Sequence, residues 1–203
     1  MARVKDEEYE LKIRTKFGDA LAKLLGEKTW DDITIKDICK EAGVSIGTFY
    51  YYYTSKEHLL YEKLDKLDHY FDTALTKEAS ELKLYDALEL YWQSYIHWIK
   101  RKGFQRRAQI LKFYLCDIPD GEWFYKRGLY TTLLEIFNRA IENKEVKMNL
   151  TAEEMAKDVD AILLGQLSIW CISKGEYPLS KSVARCIHMY YNEVTGVPDI
   201  LVR

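Results

Sequence analysis

Apolar residues recur along most of this chain at spacings of three and four, the period of a helix with one buried face. Ile13, Phe17, Leu21 and Leu24 draw one such stripe and predict a first helix over about 7–25. The polar stretch "GEKTWDDIT" then breaks the pattern, with Gly26 just past the helix end. In "TIKDICKEAGVS", Thr34 is placed to cap a short second helix, Asp37 completes a capping box, and Ile35, Ile38 and Ala42 form the apolar side. Gly43 suits a left-handed stop. Ser45 caps a third helix two residues later. Thr54 or Ser55 starts a fourth, which carries Leu60, Leu64, Leu67, Phe71 and Leu75 in one long run. Further stripes predict helices over about 83–101, 104–116, 122–143 and 152–174, and a last one from Ser180. Thr151 and Glu154 offer a second capping box; Gly175, Pro178, Gly196 and Pro198 supply stops. No strand pattern, repeat, low-complexity tract or flexible linker interrupts the series. The expected fold is all-α, with a three-helix N-terminal domain over 1–55 joined by a long helix to a larger helical domain over 56–203.

Two short helices separated by Ala-Gly-Val-Ser form a helix-turn-helix signal. The third helix contains four consecutive tyrosines, Tyr50 to Tyr53, which cannot share one face. At roughly 100° per residue, placing Phe49 toward the core sets Tyr53 beside it. Gly47, Thr48 and Tyr51 then lie on the far side, Tyr50 and Tyr52 flank on opposite edges, and Ile46 falls nearer the inner edge. The outer face suits DNA. Gly47 lets backbone approach a groove wall, Thr48 offers a hydroxyl and a methyl to base edges, and tyrosine hydroxyls donate to phosphate oxygens. Lys36 and Lys56 stand where they could hold phosphates on either side, and the N-termini of the second and fourth helices add free N–H groups. The same shape also serves as plain packing in helical proteins, and a tyrosine face can equally be a protein-contact surface.

Charge adds a debit. The 203-residue chain has 30 basic and 32 acidic residues, a net charge of −2, so DNA binding must rest on a local constellation. The charged start "MARVKDEEYELKIRTKFGDAL" has no apolar signal core, and no later run has the length of a membrane span. That predicts a cytoplasmic protein without a membrane partner. Cys39, Cys116, Cys171 and Cys186 are scattered and read as buried thiols, with a redox role for Cys39 as the sharper alternative.

The stretch "ITIKDICKEAGVSIGTFYYYYTSKEHLL" resembles the DNA-binding signature of the TetR family of one-component transcriptional regulators. The resemblance covers roughly residues 11–60. It includes the Thr34 cap, the Ala42-Gly43-Val44-Ser45 turn, Thr48-Phe49-Tyr50 with aromatic Tyr53, and Lys56 before Leu59 and Leu60. Tyr53 stands where the family most often has phenylalanine, so it is expected to be mostly buried with its hydroxyl reaching an edge. The resemblance implies groove or base contacts from Ile46, Gly47, Thr48 and Tyr51. It implies phosphate contacts from Thr34, Lys36, Ser45, Tyr50, Tyr52 and Lys56.

For the remainder, the resemblance implies a ligand-binding and dimerisation domain. Its partners would be a double-stranded DNA operator with an inverted repeat, an unknown small-molecule ligand and a second copy of the chain. Members are most often repressors released by ligand. Met155, Val159, Ile162, Gln166 and Ile169 form one stripe, with Ala161, Gly165 and Ser168 small enough for close approach; Val183, Ile187, Tyr190 and Val194 form another. The stripes alone fit a core or an interface. The family's pattern makes Ile162, Gly165, Gln166, Ile169, Val183, Ile187, Tyr190 and Val194 the expected dimer residues. The middle helices are aromatic. Trp92, Tyr95, Trp98, Phe113, Tyr114, Trp123, Tyr130 and Trp170 are the candidate ligand-binding residues, although aromatics at helical spacing more often form core. Arg106, Arg107 and Lys112 would favour an anionic ligand if they face it.

No motif for a P-loop, nucleophile elbow, zinc protease or dinucleotide site occurs, and His58, His69, His97 and His188 are dispersed. The sequence therefore predicts no catalytic residues, no metal and no cofactor. The alternative to a DNA-binding regulator is a helical ligand-binding or protein-interaction module without specific DNA binding.

Overall fold

The computed structural model of the chain describes residues 2–101, 103–116 and 127–197. All the regular structure among them is helical. The chain divides into two compact units, Met1–Lys66 and Leu67–Arg203. The division falls inside one helix, α4, which spans Lys56–Tyr70.

In the first unit, α1 (Ala2–Glu27) lies against α2 (Ile35–Ala42), and α3 (Ile46–Tyr52) follows. The core is the predicted stripe, Ile13, Phe17, Leu21 and Leu24, joined by Trp30, Ile33, Ile38, Phe49, Tyr53, Leu59 and Leu60. Both sides of the capping box form: Asp37 N–H donates to Thr34 Oγ1 at 3.1 Å, and Thr34 N–H donates to Asp37 Oδ2 at 3.0 Å. Thr34's hydroxyl and N–H hold the Asp37 carboxyl down at about 2. Gly43 ends α2 at φ 66°, the left-handed stop that a side chain would strain. Ser55 caps α4, accepting from His58 N–H at 3.2 Å.

In the second unit, the long run anticipated through Leu75 is interrupted. Residues Phe71–Leu75 form a π-turn. The Thr76 hydroxyl donates back to Phe71 O at 2.8 Å, five residues away, and Phe71 and Leu75 both reach the core. Then come α5 (Thr76–Ala79), α6 (Leu84–Lys100), α7 (Phe104–Cys116), α8 (Gly128–Glu142), α9 (Ala152–Ile172) and α10 (Leu179–Thr195). Helix α9 packs on α7, α8 and α10, and α6 on α8 and α10. Met155, Val159, Leu163 and Leu167 of α9 meet Phe71, Tyr91 and Phe137 in the core.

This arrangement corrects part of the expected interface. Val183, Ile187 and Val194 are buried within the chain itself, packed with the α9 core. Tyr190 is half-buried and donates its hydroxyl to Asp158 Oδ2 at 2.9 Å; Gln166 Oε1 accepts from the Tyr177 hydroxyl at 2.7 Å. Ile162 is partly buried against the core. Gly165 and Ile169 face outward, and Ala161 and Ile172 extend their side of α9 at spacings of four, four and three. The helix is thus apolar on two sides, one filling the core and one open.

Candidate nucleic-acid interface and interior cavity

The third helix presents two unlike sides. Phe49 and Tyr53 have no exposed surface; Tyr51 is 81% exposed, and Tyr50, Ser45 and Gly47 are also open. Phe17 fixes the inner side, its ring edge-on to Phe49 at 5.3 Å and to Tyr53 at 5.6 Å. Helix α3 ends at Tyr52, and Tyr53 turns into extended backbone while its N–H still donates to Phe49 O at 2.8 Å. Burial and the nearby Glu62 carboxylate push the Tyr53 phenol far above its usual range. Arg14 organises the edge: it pairs with Glu10 at 2.9 Å and with Glu62, and its guanidinium lies 5.1 Å from the Tyr52 ring centre. Tyr52 is half-buried beneath it and stacks edge-on against Tyr51 at 4.9 Å.

Around this helix, Ser45 caps the first turn by accepting from Thr48 N–H at 3.0 Å, and the two hydroxyls share a 2.8 Å hydrogen bond. Tyr9, Glu10, Ser45, Gly47, Thr48, Tyr51 and Tyr52 line one open concavity. Lys36 and Thr34 are exposed on α2. Ile46, expected near the inner edge, is 45% exposed. It is the first residue of α3, so no preceding turn covers it.

Lys56 is placed differently from the phosphate contact expected of it. Its ammonium donates to the carbonyls of Trp30 at 2.8 Å and Ile33 at 3.1 Å and lies 4.5 Å from the Trp30 ring centre. It ties down the loop after α1 through charged hydrogen bonds. Lys56→Met should therefore lower stability by about 1.5–3 kcal/mol. An unchanged thermal melt together with weakened DNA binding would return Lys56 to the phosphates.

Gly47 has room. A Cβ there would meet only Ser45 Oγ, at 3.7 Å. Gly47→Ala should leave the fold as stable or raise it by about 0.5–1 kcal/mol, while weakening DNA binding if the helix backbone lies against a groove wall. Equal operator affinity in the two proteins would remove that role.

The Leu67–Arg203 unit encloses a cavity of about 50 Å³. Its wall combines aliphatic side chains, among them Ile99, Ile110 and Leu164, with Tyr95, Tyr130, Arg107, Arg127 and Asp160. Of the aromatic candidates, Tyr95 and Tyr130 line it. Trp92 and Trp98 pack against the core, and Trp170 is buried with its indole N–H donating to Gly175 O at 3.1 Å. Trp123 and the side chains of Phe113 and Tyr114 lie outside the described residues, as does the side chain of Arg106. Sequence reasoning did not single out Arg127, Asp68, Asp160 or Gly128. Arg127 is 5% exposed, and its Nε donates to Asp68 Oδ2 at 2.8 Å. A dibasic "KR" before an apolar helix gives no hint of burial, and Asp160 sits in an otherwise ordinary amphipathic pattern. Among the described residues, no group of three acidic, His or Cys side chains is placed to hold a metal, and no helix is long and apolar enough to cross a membrane.

Residues 19–62 match the family model described as bacterial regulatory proteins, tetR family. A 52-residue segment is 42% identical to the HTH-type transcriptional regulator EthR of Mycobacterium tuberculosis; it covers 26% of this chain and 24% of that regulator, so the chain matches about a quarter of the relative's length. Over nearly the whole chain, the fold is similar to Thermus thermophilus FadR, a TetR-family repressor solved with lauroyl-CoA (TM-score 0.67, 18% identity, covering 94% of this chain and 96% of that one). It is similar also to FadR of Bacillus subtilis, solved with stearoyl-CoA (TM-score 0.67, 19% identity, covering 90% and 98%). At such identities the likeness is one of fold.

Proposed function

We propose, from the match of residues 19–62 to the TetR family model, that the chain is a homodimeric DNA-binding regulator of that family, a repressor released from its operator by a small molecule taken up in the Leu67–Arg203 unit. The observation that carries the DNA reading is the two-sided third helix. Phe49 and Tyr53 lock one side into the core. Ile46, Gly47, Thr48 and Tyr51 face the groove, with Tyr50, Tyr52, Ser45, Thr34 and Lys36 toward the phosphates.

Two copies suit both the charge and the open surface. Part of the basic charge of the first unit is already engaged, Lys23 with Glu41 at 2.7 Å and Lys28 with Asp37 at 3.2 Å. One module would bind weakly. On a two-fold axis, two recognition helices reach half-sites one or more helical turns apart, and the second contact is effectively intramolecular. The outward stripe Ala161, Gly165, Ile169 and Ile172 on α9, with Met189 of α10 also exposed, is the apolar surface offered to the second copy.

The acyl-CoA-bound relatives of similar fold and the interior cavity support a small-molecule effector. Release requires that the ligand bind the DNA-incompetent state better, and the coupling between ligand and DNA is then reciprocal. Selection of genomic fragments with the purified protein, followed by footprinting, tests the reading. An inverted-repeat footprint supports it. Only salt-sensitive, sequence-independent retention supports a ligand-binding module without specific DNA binding.

A further inference from the structure

The cavity's polar groups are unequally satisfied. Arg107 donates to Trp98 O at 2.7 Å and to Ile99 O at 3.3 Å, closing the end of α6. Arg127 is held by Asp68. Arg107 is thus engaged with the protein, which disfavours the anionic ligand that it suggested; Arg127 keeps its Nε on Asp68, while its Nη2 is buried and makes no hydrogen bond to the described residues. Asp160 is the acid on the cavity wall: its Oδ2 is likewise buried and accepts no hydrogen bond from the described residues. Among the described residues, the charged and titratable groups around it are Arg127, Arg107, Tyr95 and Tyr130 on the cavity wall. Tyr91 lies behind, its hydroxyl donating to Leu129 O at 2.9 Å, and Asp68 beyond Arg127.

We propose that Asp160 is the anchor for a primary amine carried on a small apolar body, an assignment that rests on the reading that this unit holds the effector site. A buried carboxylate oxygen without a donor is unfavourable, and an ammonium supplies three donors and the opposite charge. Ile99, Leu164 and Leu167 would cover the apolar body. An acyl thioester brings only acceptors to the same place and leaves Asp160 unmet. The cavity of about 50 Å³ holds no more than a few waters, so an amine of useful size must favour a widened state. That is the differential affinity a regulator needs.

Burial pushes the Asp160 carboxyl up to about 7, with the Arg127 charge opposing. Amine binding needs the ionised form. Affinity should therefore be low at pH 6, rise through pH 7 and level off by pH 8, a change of about tenfold.

The test is titration calorimetry on the full chain with hexylamine, hexanol, hexanoate and lauroyl-CoA, at pH 6 and pH 8, repeated with Asp160→Asn. Hexylamine is expected to bind at least about tenfold tighter than hexanol or hexanoate at pH 8, to weaken at pH 6, and to lose its preference in the variant. Should Asp160→Asn fail to fold, the pH dependence of the natural chain decides. Tighter binding of hexanoate or lauroyl-CoA, an amine affinity unchanged in Asp160→Asn or with pH, or no uptake of amine overturns the anchor. Operator release by one of the other three probes would then preserve the effector reading. Conversely, amine binding that obeys Asp160 but leaves operator affinity unchanged upholds the anchor and sinks that reading.

Discussion

Gly128→Ala is expected to destabilise the Leu67–Arg203 unit by about 3 kcal/mol or more, at or above the usual upper range for overpacking. Gly128 opens α8 where that helix meets the backbone of Asp68 in α4. A Cβ built on it would sit 2.8 Å from the Asp68 carbonyl carbon and 3.0 Å from its Cα, and closer still to the carbonyl oxygen. The obstacle is main chain, which has no rotamer to change. Several bonds hold the start of α8 against α4 and the turn and α5 that follow it: Arg127 to Asp68 at 2.8 Å, Thr131 to Asp72 at 2.9 Å and Thr132 to Thr76 at 2.9 Å. Moving the Asp68–Thr76 stretch away would loosen all of them, and Arg127 would be left with a buried charge poorly matched, itself strongly unfavourable. The sign is diagnostic. In an ordinary helix, alanine is better than glycine by about 0.8–1.0 kcal/mol, so a stabilised or neutral variant would show that the helices do not meet this closely. Urea unfolding of the two proteins measures the difference.

Local signals in this sequence were legible because their causes are local. Both capping boxes, the Gly43 stop and the buried side of α3 follow from residues within four positions of one another. Partner-dependent features were not. Val183, Ile187 and Val194 form the amphipathic stripe that periodicity indicates, but a stripe does not say whether its partner is α9 of the same chain or another copy. Lys56 follows the third helix and looks like a phosphate ligand; that it meets two carbonyls 23 and 26 positions earlier depends on the loop after α1. At the π-turn Phe71–Leu75 both the N–H and the hydroxyl of Thr76 reach back five residues to Phe71 O, a local widening that Leu67, Phe71 and Leu75 at spacings of four do not announce. Asp160 carries its meaning only through what surrounds it.

Phe49→Ala and Tyr51→Ala, two positions apart, are expected to fail in opposite ways. Phe49 has no exposed surface and contacts Phe17, Tyr50 and Tyr53 at ring-centre distances of 5.3, 5.7 and 5.5 Å. Removing its ring deletes the centre of the small N-terminal core. The loss should be about 3–5 kcal/mol, a large share of the roughly 5–15 kcal/mol available to a domain. Tyr51 is 81% exposed and touches Tyr52 edge-on, so its truncation should change stability by no more than about 0.5 kcal/mol. On the proposed function its effect falls on operator binding. If it donates to a base edge or phosphate at the centre of the interface, each protomer should lose about 1–3 kcal/mol of operator affinity, and a dimer feels the loss twice. Thermal melts and operator titrations on both variants separate the roles. A Phe49→Ala protein that melts like the parent would overturn the register of α3 and, with it, every outward assignment on that helix. A Tyr51→Ala protein that unfolds early would move the ring into the core. A Tyr51→Ala protein that keeps both stability and operator affinity would leave the groove to Ile46, Gly47 and Thr48, whose side chains reach less far from the helix axis.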